Sequence, residues 1–234
     1  MQKRRIFLVL IISAYAFSVF GGTVPGLDFS LGGYFGTYGP SLKILNEQVL
    51  TPDFSEIGAN ATFGGQSRLG LPIGLSFYTR VGYWKSETKR NVTNGTESYT
   101  ISLTPLTLGI DYKVPLVPLV LKGYGGVGLN EIFGGLKKEK QVIGDYEMQK
   151  ATGSATCFLM RLGLELVSLP EISLGIEGDY TFGKISSLTI KEDNKDLSEI
   201  GKILEYRNRY TGQSLPLPLE LSGPSLRFSL YYHF

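Results

Sequence analysis

Cysteine and histidine are almost missing from this 234-residue chain, which holds one of each, Cys157 and His233. A lone cysteine forms no internal disulfide and no CxxC pair. Disulfide scaffolds, dithiol redox chemistry and zinc sites built from several Cys and His are therefore excluded. Charged residues make up only 19% of the chain and hydrophobic ones 42%, which is not the composition of a disordered protein. Long apolar runs are missing as well. "IFLVLII" (6–12) is too short to cross a bilayer as a helix, and nothing after it comes near the required length. The formal net charge of +2 belongs to the N-terminus. Without Lys3, Arg4 and Arg5, twenty cations face twenty-one acids, a net of −1. A nucleic-acid partner thus loses its electrostatic support.

Glycine and aromatics are abundant, with 30 Gly, 14 Tyr and 13 Phe. That mixture favours strands and turns over helices. The N-terminus has the three parts of a secretory signal: a basic start, the short apolar run, and small residues with Ala14 and Ala16 in an A-x-A pattern. Residues 1–16 are expected to be the signal, with Gly21 a later alternative cleavage point. The mature domain is then 22–234.

The rest alternates with period two. "LDFSLGGYFGTY" (27–38) opposes Leu27, Phe29, Leu31 and Phe35 to Asp28, Ser30, Gly32 and Tyr34. "EIGANATF" (56–63) is weaker, with Ile57, Ala59, Ala61 and Phe63 on one side. "IGLSFYTRVGYW" (73–84) is clear. "YTISLTPLTLGIDYK" (99–113) changes phase at Pro105, which predicts a β-bulge there. Glycine-rich 119–130, then 155–167, 172–182 and the terminal "SLRFSLYYHF" (225–234) complete eight segments. Short turns are expected near 66–70, 114–118 and 168–171. Long polar connections are expected at 39–55, 85–98, 130–153 and 184–217, the last with a helix over 195–206 capped by Asp196.

The polar face carries mid-strand charges: Arg80, Asp111, Arg161, Glu165, Glu177, Asp179 and Arg227. In a soluble sandwich these would face water; in a membrane barrel they would fill the lumen and pair. Pairing about the 168–171 turn sets Arg161 against Glu177 or Asp179, opposite charges on one face. Aromatics near strand ends (Tyr34, Phe35, Tyr38, Tyr83, Trp84, Tyr112, Tyr180, Phe182, Tyr231, Tyr232, Phe234) suit interfacial girdles. The expectation is a closed antiparallel transmembrane β-barrel of eight strands, with ten as the alternative. Eight strands leave an interior that side chains can fill.

"LTPLTLGIDYK" (103–113), "LKGYGGVGLN" (121–130) and the terminal strand together resemble the small outer-membrane β-barrel family (OmpA/OmpX/OmpW-like). The resemblance covers nearly all of the chain after the signal. It implies an outer-membrane location, contact with outer-membrane lipid, and a C-terminal strand read by the barrel-assembly machinery. Phe228, Leu230, Tyr232 and Phe234 match that assembly pattern; His233 and the long final loop depart from it in detail. The role implied is structural or surface-interacting, with an unspecified extracellular partner. A narrow conduit for small apolar solutes, as in OmpW-like relatives, is the alternative.

No cofactor, metal or enzymatic activity is expected. Gly123, Gly125 and Gly128 satisfy G-x-G-x-x-G, but the dinucleotide fold needs a helix next, and "LNEIFGGLKKEK" does not supply one. His233 lies on the terminal strand, at the periplasmic end, where a filling role outweighs that of a catalytic base. A lipid-modifying enzyme would need a nucleophile and base near the outer leaflet.

Overall fold

The computed structural model describes residues 27–118, 120–169 and 171–234. The expected signal, residues 1–16 or 1–21, lies outside the described residues.

Eight long strands form one closed antiparallel ring: β1 (Asp28–Tyr38), β2 (Asn60–Gly70), β3 (Leu75–Val92), β4 (Gly95–Val117), β5 (Leu121–Val142), β6 (Asp145–Leu169), β7 (Ile172–Phe182) and β8 (Gly223–His233). Each pairs with its sequence neighbours, and β8 returns to β1, with Ser30 opposite His233 and Tyr38 opposite Ser225. A closed ring leaves no open sheet edge inside a bilayer, where an unpaired backbone amide is prohibitively costly. The ring has eight members, and a small hairpin (Glu205–Arg207 with Ser214–Pro216) lies outside it instead of adding a ninth and tenth. The chain is thus an eight-stranded transmembrane barrel, short-turned at the periplasmic end and extended at the other.

Strand length divides the molecule. β1, β2, β7 and β8 have 11 residues each, the length that crosses a bilayer. β3 to β6 have 18 to 25. The excess in β4, about 12 residues, carries the wall roughly 40 Å further along the strand direction. Two of the connections expected to be long loops are therefore strand. β3 and β4 run on to a two-residue turn at Thr93–Asn94, and β5 and β6 to Ile143–Gly144. The short connections follow β2, β4 and β6. The first of them is 71–74, so residues 66–70, expected as a turn, belong to β2. The stretch 39–59 and the stretch 183–222 do leave the wall. The latter is mostly loop with five short strands, of which Thr189–Asp193 extends the sheet beside β6. Over 195–206 only a 3-10 turn forms (Leu197–Glu199). Asp196 caps it by accepting from the Ser198 N–H, while Leu197, Ile200 and Ile203 are left exposed. The end of the segment instead pairs its backbone with 188–190, where the Leu204 N–H donates to the Leu188 carbonyl (2.7 Å) and the Ile190 N–H to the Lys202 carbonyl (2.9 Å), and Leu204 packs against the core.

The expected bulge at Pro105 is absent. Pro105 stands opposite Ile132, and the β3–β4 register is the same on both sides of it. What changes is the surroundings. Below Pro105, Leu106, Leu108, Ile110 and Tyr112 face outward to lipid, and Thr107 and Asp111 face in. Above it, Tyr99, Ile101 and Leu103 face in, and the outward positions are Thr100, Ser102 and Thr104. The inward row is continuous, and its chemistry inverts where lipid gives way to water.

Above that level lies an apolar core. Trp84, Tyr99, Ile101, Leu103, Ile132 and Leu136 meet residues from both departing stretches, among them Leu42, Leu45, Leu188, Leu219 and Leu221, all nearly inaccessible. Ile57, expected on a strand, is part of this core. Asn46 fixes it there, donating to the Ile57 carbonyl (2.9 Å) and accepting its N–H (3.0 Å). The four 11-residue strands end below this assembly, so the protruding wall of β3–β6 and the two stretches form a folded extracellular head.

The aromatics expected in girdles split by parity. Phe35, Tyr83, Tyr112, Tyr180, Phe182, Tyr232 and Phe234 face outward, but Tyr34, Tyr38, Trp84 and Tyr231 are buried inside. The interior rings lie flat across neighbouring strands, and glycines make room for them. A Cβ on Gly163 would overlap the Tyr124 ring, and one on Gly109 would overlap the Tyr78 ring. Gly178, in contrast, would place its Cβ outward, with nothing nearer than 3.9 Å. Gly163→Val is accordingly expected to block folding in detergent, and Gly178→Val to leave it intact. Heat-modifiable gel migration of the refolded variants checks this; normal migration of Gly163→Val would refute the ring-on-glycine packing.

Candidate functional site

The lower half of the barrel interior is a ladder of ion pairs. Five cations (Arg68, Arg80, Lys113, Arg161, Arg227) meet five carboxylates (Asp28, Asp111, Glu165, Glu177, Asp179). At the periplasmic end, Lys113 bridges Glu165 (3.3 Å) and Asp28 (3.8 Å). Arg68 donates to Glu165 at 2.6 Å and lies 3.6 Å from Asp111. One level up, Arg161 spans Asp111 (3.5 Å) and Glu177 (2.5 Å). Higher still, Arg80 holds Glu177 (3.0 Å) and Asp179 (2.7 Å). Arg227 and the Ser225 hydroxyl close on Asp179. The rungs reach between strands far apart in the sequence, so the ladder crosses the lumen. All of these groups except Asp28 at the mouth are nearly inaccessible to solvent.

Tyrosine rings separate the rungs. Arg68 stacks between Tyr124 (4.6 Å to the centroid) and Tyr231 (4.8 Å), and Arg161 lies over Tyr78 at 4.2 Å. Arg80 and Arg227 share Tyr34, at 5.4 and 5.2 Å. A guanidinium over an aromatic face keeps a favourable electrostatic partner after losing water. Tyr124 also donates to Glu177 at 2.9 Å. Arginine serves here better than lysine because its planar group can stack and pair at once.

The seven charges singled out in the sequence (Arg80, Asp111, Arg161, Glu165, Glu177, Asp179, Arg227) all point inward and belong to this ladder. Asp179 is the backbone partner of Arg161, yet the Arg161 side chain pairs with Glu177, one rung away. Arg68, Lys113 and Asp28 belong to the ladder without having been singled out for it. Arg68 lies in the stretch expected as a turn, although its parity with Gln66 marks it as inward. Lys113 shares the parity of Asp111 and is open to the same argument.

Phe228, Leu230, Tyr232 and Phe234 sit on the lipid face of β8 and its end. Phe228 stacks on Phe35 of β1 (5.6 Å), and Phe234 meets Phe29 (5.5 Å). The Phe234 N–H donates to the Phe29 carbonyl at 3.0 Å, which fastens the last residue to the first strand. Inside the same seam, His233 Nδ1 is 2.9 Å from Asp28 and Nε2 is 2.8 Å from the Ser173 hydroxyl. That is the order of a nucleophile, base and acid, but Ser173 is wholly buried beneath the ladder and Glu165 lies 3.7 Å from the same imidazole nitrogen. A substrate has no approach to the hydroxyl. What the chain of contacts does is link β7, β8 and β1 at the closing seam.

Gly123, Gly125 and Gly128 lie along β5 in an antiparallel wall, with β4 and β6 on either side. No helix follows them, so there is no helix N-terminus to hold a pyrophosphate. Among the described residues no cluster of three or more His, Cys, Asp or Glu is arranged to hold a metal.

In the head, a half-open cavity of about 290 Å³ lies between the protruding wall and the two departing stretches. Its floor is apolar and its rim carries Lys138 and Arg207. Near this rim Glu97 accepts two bonds from Arg90 (3.0 and 2.6 Å) and stands 3.4 Å from Lys138. Burial works against the Glu97 charge, yet Arg90 and Lys138 hold its carboxyl below the usual range.

No family model matches this sequence, and no curated protein does. Solved structures that superpose on it are small outer-membrane β-barrels. A major outer membrane protein from Thermus thermophilus is 16% identical, with a TM-score of 0.48 over 89% of this chain and 99% of that one. Neisserial surface protein A is 13% identical, with a TM-score of 0.42 over 89% and 99%. Ail, the attachment invasion locus protein of Yersinia pestis, is 10% identical, with a TM-score of 0.42 over 90% and 100%.

Proposed function

We propose that this protein is an outer-membrane barrel with a sealed transmembrane half that carries a folded extracellular head, and that the head makes its contacts with the outside. The observation that carries this reading is the inversion at Pro105. Two unlike fillings lie in series along one interior, a charged ladder below and an apolar core above. A polar solute passing the ladder meets the core, and an apolar solute passing the core meets buried ion pairs. The conduit alternative would need both to open together. The buried position of Ser173 speaks against an enzyme at the seam. Residues 1–16 serve as the export signal in this reading, and the aromatic end of β8 is the signal read during barrel assembly.

In planar bilayers the purified protein is expected to show no sustained open conductance; a stable open level would overturn the sealed-barrel reading. Glu177→Ala leaves Arg80 and Arg161 facing each other without their shared acid. A loss of about 3–5 kcal/mol is expected, against under about 0.5 kcal/mol for Glu87→Ala in the exposed head. Urea unfolding followed by the fluorescence of Trp84, the single tryptophan, measures both. Phe234→Ser is expected to lower the amount assembled in the outer membrane severalfold while refolding normally in detergent. Unimpaired assembly in cells would remove the terminal residue from the signal.

A further inference from the structure

The cavity in the head has the chemistry of a ligand site. Its floor is made by Tyr99, Leu136, Ala151 and Leu217, all members of the apolar core. That core is otherwise closely filled, with Leu45, Leu188, Leu219 and Leu221 wholly inaccessible. Half open, the cavity leaves this apolar floor against water, and a ligand that covered it would bury apolar surface. The cavity persists because three separate parts of the chain meet around it: β4 to β6, the π-turn at Leu45–Val49, and the hairpin of Glu205–Arg207 with Ser214–Pro216, which leads into Leu217. At about 290 Å³ it is at the low end of small-molecule sites.

The rim sets the sign. Glu205 is its one carboxylate among the described lining residues, and Arg207 stands two residues along the same strand face and offsets it. Lys138 is the remaining charge. The acid that it pairs with, Glu97, gives one oxygen to both Arg90 bonds and keeps the other 3.4 Å from the ammonium. Lys138 also lies over the Tyr99 ring at 5.7 Å, which places its charge at the junction of floor and mouth. Tyr99 and Glu97 hold that ammonium above its ordinary pKa despite burial, so it is cationic at neutral pH.

We propose that this cavity binds a small amphipathic anion, with a ring or short chain on the floor and a carboxylate or sulfonate against Lys138. The proposal deepens the reading of the head as the contacting half. It does not depend on the lumen being sealed, so a conductance result and a binding result can fail separately.

The test uses the full barrel in phosphatidylcholine nanodiscs, titrated calorimetrically with 1-naphthoate, with octanoate and with the neutral 1-naphthalenemethanol. Saturable one-to-one binding of naphthoate or octanoate is expected, and which of the two binds distinguishes a ring from a chain. Lys138→Gln is expected to weaken the anion roughly tenfold and to leave the alcohol within about twofold. Ala151→Leu fills the floor and is expected to abolish binding. Gln149→Trp, at the mouth instead of in the core, is expected to do the same without risk to folding, which heat-modifiable migration checks. The proposal is overturned if neither anion saturates, if the alcohol binds as tightly as the acid, or if binding survives both filling variants, which would place it in the lipid or on the barrel wall.

Discussion

A one-residue slip of any strand in the lower barrel would turn its buried charges into the lipid, and this penalty holds the rest of the structure in place. Side chains alternate along a strand, so a slip of one exchanges the two faces entirely. On β7 it would expose Glu177 and Asp179 to acyl chains, and on β8 Arg227. A charge on the lipid face of a barrel costs about 2–4 kcal/mol for Arg or Lys near the midplane. An interior of leucine would fill the same space, but strands apolar on both faces would have no such reason to keep one register. Buried ion pairs add little net stability over good apolar packing. Here their value lies in the alignment that they enforce around the whole ring.

The tyrosines follow from the same constraint. Four arginines crowded into one lumen repel each other unless something lies between them. Flat rings do this, since each face attracts a guanidinium and each ring is thin enough to stack in a narrow barrel. The rings fit only where the opposing wall is bare, which accounts for Gly109 and Gly163 beneath Tyr78 and Tyr124. Of the three glycines that could be mistaken for a phosphate-binding loop, only Gly128 lies under such a ring, at the Tyr78 hydroxyl; Gly123 and Gly125 face outward beside Leu116 and Leu162.

Much of the lower barrel is legible in the sequence because its signals are local. Alternation locates eight segments, and the seven ladder charges stand out by parity. Arg68 does not, since "GGQSRLG" holds three glycines and a serine against one leucine, and only pairing with β1 and β3 makes it strand. The inversion at Pro105 is visible as a change of phase, but a bulge is the wrong cause for it. Hydrophobic periodicity shows which face is apolar, and it reports a slip and a change of surroundings identically. Only the height of the membrane tells them apart. Tyr34, Tyr38, Trp84 and Tyr231 fail as girdle residues for a different reason, since their parity already puts them inside. The cavity has no local signal at all, because its lining comes from segments far apart in the chain.

Above the lipid the register is protected by the opposite chemistry. A slip of β4 there would move Tyr99, Ile101 and Leu103 from the core into water and bring Thr100, Ser102 and Thr104 inward. The two halves therefore penalise the same error in different solvents, and β3 to β6 are held at both ends. This frees the departing stretches from any duty to the wall. Residues 39–59 and 183–222 have only to cover an apolar surface that already exists, and many arrangements of leucine and isoleucine would do so. The side chains at the cavity mouth are freer still, since neither lipid nor ladder fixes them. Lys138, Gln149 or Arg207 can change without disturbing a rung of the barrel, whereas no change at Arg161 or Glu177 could be made alone.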